Sequence, residues 1–345
     1  MTAPPDAIAA WRAANARRLA VIGIACLLLL VSFAADIATG PAMLPIAEVV
    51  RAMLGNGDPM LTAIVHQLRL PIALMAIAVG AALGMSGAVM QTILNNPLAS
   101  SYTLGISAGA GFGAALAILA GAMLPLPQTF AVPLAAFLFA GLACAMVASA
   151  ARMRGATPEF LVLAGIVCLF LFQALLSLLQ FLASPEALQQ IVFWLFGSLA
   201  RSTMGQVGVV GVILVLCAPL LLCDAWLFTA LRLGDERARA LGVKVDGLRL
   251  RAFIIVSLLT GVAVAFVGTI GFVGLVAPHI ARMLVGEDQR HLLPASALFG
   301  ALLLSAASAV SKVILPGAVF PIGIVTSLVG VPVLGWLVLR MRRSM

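Results

Sequence analysis

Charge is scarce in this 345-residue sequence: Asp, Glu, Lys and Arg make up 9% of it, against 63% hydrophobic residues and a mean hydropathy of +1.19. Soluble globular domains carry about a quarter charged residues, so the composition places the chain in a membrane. No polar stretch is long enough to fold by itself, and residues 1–345 read as one membrane domain. The five cysteines, Cys26, Cys144, Cys168, Cys217 and Cys223, lie in or at the ends of apolar runs without C-x-x-C spacing. That pattern argues against a thiolate metal site and makes them small buried hydrophobes. No G-x-x-x-x-G-K-[ST] occurs, so the chain cannot cradle ATP phosphates by that route. H-E-x-x-H is missing, and no succession of acidic residues threads the apolar segments, which weakens a zinc enzyme or a proton-coupled pump. No cofactor or metal is expected on this chain, and any ATP and Mg it uses belong to a partner.

What charge there is runs to one sign and one place. A net charge of +8 and a pI near 10.3 would suit a nucleic-acid partner only if the cations formed a patch. They fall at segment ends instead. Arg12, Arg17, Arg18, Arg152, Arg154, Arg232, Arg237, Arg239, Lys244, Arg249, Arg251, Arg282, Arg290, Arg340, Arg342 and Arg343 occupy one set of connections. Only Arg51, Arg69, Arg201 and Lys312 occupy the alternate set, so sixteen of twenty lie on one side. The positive-inside rule makes that side cytoplasmic. Apolar segments near 19–38, 68–93, 103–122, 130–151, 158–182, 204–225, 249–268, 271–285, 293–313 and 321–340 predict an all-α polytopic protein of about ten spans. Both termini are then cytoplasmic. Arg17 and Arg18 before an apolar run resemble a signal peptide, but an uncleaved first span keeps the crossings even. The 271–285 segment is short, which suits a helix starting from irregular backbone enclosed by protein or water. Gly80-x-x-x-Gly84 and Gly105-x-x-x-Gly109 have the spacing of close helix packing.

The connections carry the most information. Leu231 to Arg251, LRLGDERARALGVKVDGLRLR, is the longest charged stretch. Asp235 and Glu236 suit a helix N-terminus and Gly242 a C-terminal stop, which predicts a short helix outside the membrane with Ala238 and Leu241 on one face. It reads equally as a solvated linker or as a docking helix for a cytoplasmic motor. Asn95-Asn96-Pro97 is explained by turn chemistry. Ser184-Pro185-Glu186 predicts a short capped helix through Trp194 at the interface. His279 near a span end reads as a structural histidine rather than a proton carrier.

Several ordered blocks resemble one family. They are Leu68-Arg69-Leu70-Pro71, Ser86-Gly87 through Gln91, Asn96-Pro97-Leu98-Ala99, Leu104 through Ala110, Trp194 through Ser198, Leu233-Gly234-Asp235 and Ala240-Leu241-Gly242-Val243. Gly268 through Ile280, Leu292-Leu293-Pro294, Pro321 through Thr326 and Gly330-Val331-Pro332 continue the series. From about Arg69 to Arg343 the chain is similar to the FecCD permeases, which import iron-siderophores, haem and cobalamin. The resemblance implies a type II ABC importer permease fold in the bacterial inner membrane and a homodimer with the path on its two-fold axis. It further implies two cytoplasmic ABC ATPase subunits and a periplasmic substrate-binding protein. Gly234, Asp235, Glu236, Arg237, Arg239, Ala240, Leu241 and Gly242 become the ATPase-coupling segment. Three departures fall on the opposite side: Ile72 and Lys312 stand where the family has arginine, Ser308 where it has Asp, and no acid lies in 316–321. Arg69 and Lys312 are then left for docking the binding protein. Gln173, Gln180 and Met204 are candidate path residues.

Two other readings compete. An ion-coupled secondary transporter or channel needs no motor and no docking helix. An intramembrane serine protease would need Ser86 within hydrogen-bond reach of His279, whereas Ser86 between small residues also suits helix packing.

Overall fold

The computed structural model describes residues 5–40, 45–123, 125–152, 157–314 and 319–342. Among them there is no strand. The helices are α1 (Pro5–Ala38), α2 (Ile46–Met53), α3 (Pro59–Ile64), α4 (Leu70–Ile93), α5 (Ile106–Ala120), α6 (Gln128–Ala151), α7 (Pro158–Leu182) and α8 (Pro185–Leu195). After them come α9 (Met204–Cys223), α10 (Ala225–Leu231), α11 (Asp235–Ala240), α12 (Val245–Val267), α13 (Val273–Val285), α14 (Gln289–Ser311) and α15 (Ile322–Arg342). Every apolar segment read from the sequence coincides with a helix. Seven are long and apolar enough to cross a membrane, and Ile106–Ala120, Val273–Val285 and Ile322–Trp336 are shorter.

α4 is the spine: it packs on α14, α13, α12 and α9. Along their apolar stretches α4 and α12 are 72% buried, while α1 and α9 are 17% buried, so the first pair is core and the second rim. Glycine sets the closeness of the central contact. A Cβ on Gly84 would overlap the Ser296 carbonyl oxygen of α14, and one on Gly109 of α5 would lie 2.6 Å from the Phe139 carbonyl of α6. Both small-x-x-x-small pairs therefore mark real helix seams.

Two irregularities have local causes. Helix continues from Pro59 to Ile93 through a π turn, Val65–Arg69, in which the Leu70 N–H reaches back five residues to the Val65 carbonyl. Pro71 follows, and a proline ring crowds the preceding turn, so the wider turn accommodates it. Between α12 and α13 the backbone is non-helical over 268–272. Protein encloses this break: Ser198 N–H donates to Val267 O at 2.8 Å, Thr269 Oγ1 donates to Leu195 O, and the Phe196 carbonyl accepts from Gly323 N–H at 3.0 Å. The short α13 thus starts from irregular backbone enclosed by protein, with the Gly271 carbonyl accepting from Val273 N–H and the Phe272 carbonyl from Val276 N–H.

Candidate functional site

The charged elbow between α9 and α12 forms two short helices. The carbonyl end of α11 closes by a Schellman pattern: Val243 N–H donates to Ala238 O and Gly242 N–H to Arg239 O. Gly242, at φ +86°, supplies the left-handed residue this turn requires, and Ala238 and Val243 are buried beneath it. The predicted helix and its stop are therefore present. Burial divides the segment in two. Glu236, Arg237, Arg239, Ala240, Leu241 and Gly242 are exposed, with Leu241 at 62% and nearby Leu233 at 53%, whereas Asp235 turns inward.

Arg249 receives Asp235 in a two-pronged pair. Nη1 donates to Asp235 Oδ2 at 2.7 Å, Nη2 donates to Oδ1 at 2.8 Å, and Nε donates to the Ile93 carbonyl at 3.0 Å. Arg249 is 3% exposed, so the pair sits where screening is weak. A cavity of about 400 Å³ opens beside it, walled by Thr92, Asn95, Glu159, Glu236 and Arg239. A second bridge runs from Arg232, which donates to Asn95 Oδ1 at 3.4 Å and pairs with Glu287 at 3.0 Å; Glu287 also accepts from Arg282 at 3.2 Å. Thr229 Oγ1 accepts from Gln289 N–H, and buried Gln289 donates through Nε2 to Thr92 Oγ1 at 2.9 Å. Asn95, which opens the turn assigned from sequence to turn chemistry alone, and Thr92 at the end of α4 are part of the elbow's seat. Asp224 pairs with Arg251 at 2.5 Å; burial raises its carboxyl, and the arginine opposes that rise.

Arg69 and Lys312 correct an expectation. Both are 5% exposed. Lys312 Nζ donates to Asp36 Oδ1 at 2.7 Å and to its carbonyl at 2.8 Å, and Ser308 Oγ donates to the same carboxylate at 2.8 Å. Arg69 Nη1 donates to the Ile37 and Ala38 carbonyls at 3.0 and 2.8 Å. Both cations cap the end of α1, because carbonyls at a helix C-terminus lack intrahelical partners and attract positive charge. Asp36 was not singled out from the sequence; its one legible signal was a carboxylate inside an apolar run.

The two charged clusters lie at opposite ends of α14. Arg18 of α1 lies beside Gly286, and Asp36 meets Lys312, so α1 and α14 run parallel. The 23 residues of α14 span about 34 Å, close to a hydrocarbon core. Of the cations assigned by sequence, Arg154 and Arg343 lie outside the described residues, as does the 316–318 part of the last departure.

The other candidates do not converge. Gln173 and Gln180 lie on α7, which packs on α5 and α6, and exposed Met204 begins α9, which packs on α12 and α4. Ser184 caps α8 by accepting from Ala187 N–H, as read, but Trp194 is half-buried against the core. Ser86 is fully buried with no partner for its hydroxyl among the described residues, so it makes no hydrogen bond to His279.

Comparison with known proteins agrees with this architecture. The model of the FecCD transport family matches residues 28–340, beginning inside α1, well upstream of the sequence blocks. The Hemin transport system permease protein of Yersinia pestis is 37% identical over 278 residues, covering 80% of this chain and 83% of that one. The Molybdate import system permease protein of Haemophilus influenzae is 38% identical over 288 residues, covering 83% and 84%. A solved structure described as an inward-facing conformation of a metal-chelate type ABC transporter superposes with a TM-score of 0.83 at 34% identity, covering 93% of this chain and 99% of that one. This chain belongs to the FecCD transport family and is a multi-pass membrane permease rather than an enzyme.

Proposed function

We propose that this permease imports an iron-siderophore, haem or corrinoid across the bacterial inner membrane, driven by ATP hydrolysed on a separate ABC ATPase. Two copies of the chain enclose the path, each with ten spans and cytoplasmic termini, and each seats one ATPase on the exposed face of α11. One observation carries the reading. A short helix shows its charged face and Leu241 outward while its root is fixed among the ends of α4, α12, α13 and α14. A solvated linker needs no such anchorage, and a secondary transporter needs no such outward face. ATP binds the closed motor better than the open one, and that difference does the work on the permease. Cargo capture from outside requires a periplasmic binding protein. With Arg69 and Lys312 buried, its contacts pass to exposed Arg51 and Arg201 on the same side, with half-buried Glu48 beside Arg51.

Uptake into vesicles holding the chain, its ATPase and its binding protein tests the proposal. ATP-dependent uptake of a labelled ferric siderophore, haemin or cobalamin is expected to be competed by one of the three. Because a comparably similar relative is named for molybdate, molybdate forms the fourth arm; competition by molybdate alone would overturn the cargo class. Uptake driven by an ion gradient without ATP would overturn the mechanism.

A further inference from the structure

We infer that Asp235 is a positioning residue: clamped by Arg249 against the Ile93 carbonyl, it makes α11 move as one body with the cytoplasmic ends of α12 and α4. This rests on the reading of α11 as the ATPase contact and divides the labour within it. The motor touches Glu236, Arg237, Arg239 and Leu241, and Asp235 delivers the push.

α11 is six residues long, and the residues that flank it, Gly234 and Leu241-Gly242, include two glycines at φ +96° and +86°. Neither glycine has a neighbour within 4 Å of a would-be Cβ, so these joints are held by backbone bonds such as Gly234 N–H to Leu231 O and Gly242 N–H to Arg239 O, with no packing over the glycines themselves. A rod so short, hinged at both ends, would pivot and absorb a push unless a side chain held it. Ala238 and Val243 seat it on apolar surface, which resists lifting but not sliding, since apolar contact is non-directional. Directional hold comes from the guanidinium fork, whose geometry fixes both distance and orientation.

The far side of the clamp is equally specific. Ile93 is the last residue of α4, so its carbonyl has no intrahelical donor. Arg249 Nε fills that vacancy while both Nη groups hold Asp235, and the arginine joins three elements at once. α4 in turn packs on α13 and α14, so displacement of its end reaches the middle of the bundle. The neighbouring Arg239–Asp246 pair makes the contrast: at 3.4 Å, with side chains 51% and 75% exposed, it is too solvated to transmit anything.

Hydrogen exchange on the complex of this chain with its ATPase tests the clamp, with Asp235→Asn, Arg249→Lys and Asp246→Asn beside the wild type. Without ATPase, Asp235→Asn and Arg249→Lys are expected to raise exchange at residues 236–243 at least tenfold, and Asp246→Asn to leave it unchanged. Arg249→Lys keeps the charge and removes the fork, so its effect isolates geometry. On adding ATP to the complex, exchange at 88–95 is expected to change several-fold in the wild type and in Asp246→Asn. In the other two variants α11 still responds while 88–95 does not. An undiminished response at 88–95 in Asp235→Asn, or unaltered exchange at 236–243 in the free chain, would overturn the inference. A wild-type α11 that never responds to ATP would instead sink the coupling reading, which is a separate outcome.

Discussion

The two ends of α14 carry the same chemistry to opposite effect. At one end Asp36 is 0% exposed and its pair with Lys312 is sealed among α1, the π turn and α14. At the other end Arg249 is as deeply buried, but its carboxylate partner roots a helix whose remaining face is open to solvent. A sealed pair can only hold, whereas a pair with one side on a protruding helix can also transmit. What separates them is where the chain goes next: α1 ends at its pair, and α11 leads outward from its own.

Breaking each end should therefore fail differently. Lys312→Ala leaves a buried, unpaired carboxylate and is expected to cost about 3–5 kcal/mol, seen as a large fall in thermal midpoint in detergent. The double replacement Asp36→Asn, Lys312→Met should recover most of it; no recovery would mean that the pair is not the source. At the other end, Leu241→Glu should leave the thermal midpoint unchanged while weakening ATPase co-purification and uptake at least tenfold. A smaller effect is expected at Asp288, which caps α14 by accepting from Arg290 N–H. Asp288→Ala should cost about 1 kcal/mol. The Arg290 hydrogen bond holds the Asp288 carboxyl below its usual range, so its stabilisation is full above the ordinary value of about 3.9 and is lost as pH falls through the lowered one. The gap between wild type and Asp288→Ala should narrow in that acid window. The smallest effect belongs to Ser86→Ala, which removes a buried hydroxyl with no partner; stability should stay within about 0.5 kcal/mol and uptake should be unchanged.

Periodicity and punctuation made most of the fold legible. Apolar runs of span length became helices, Gly242 ended α11 where a left-handed residue was needed, and Ser184 capped α8. These signals are local, and the residues that create them are the residues that act. The sites were less legible because their pairs are remote in sequence. Asp235 meets Arg249 fourteen residues on, and Lys312 meets Asp36 at a separation of 276. Counting cations by side assigned Arg249 and Lys312 to opposite sides but gave no hint that either was buried. The outward set on α11 was readable for the opposite reason: a short polar helix with a stop signal depends on no distant partner.

The account stands on the side of the membrane that α11 faces. With Cys26 and Cys223 changed to Ser, Leu241→Cys offers an exposed thiol to a membrane-impermeant maleimide. Labelling is predicted in inverted vesicles, reduced when the ATPase is bound, and none is predicted in intact spheroplasts. Labelling from the outside of spheroplasts would contradict it.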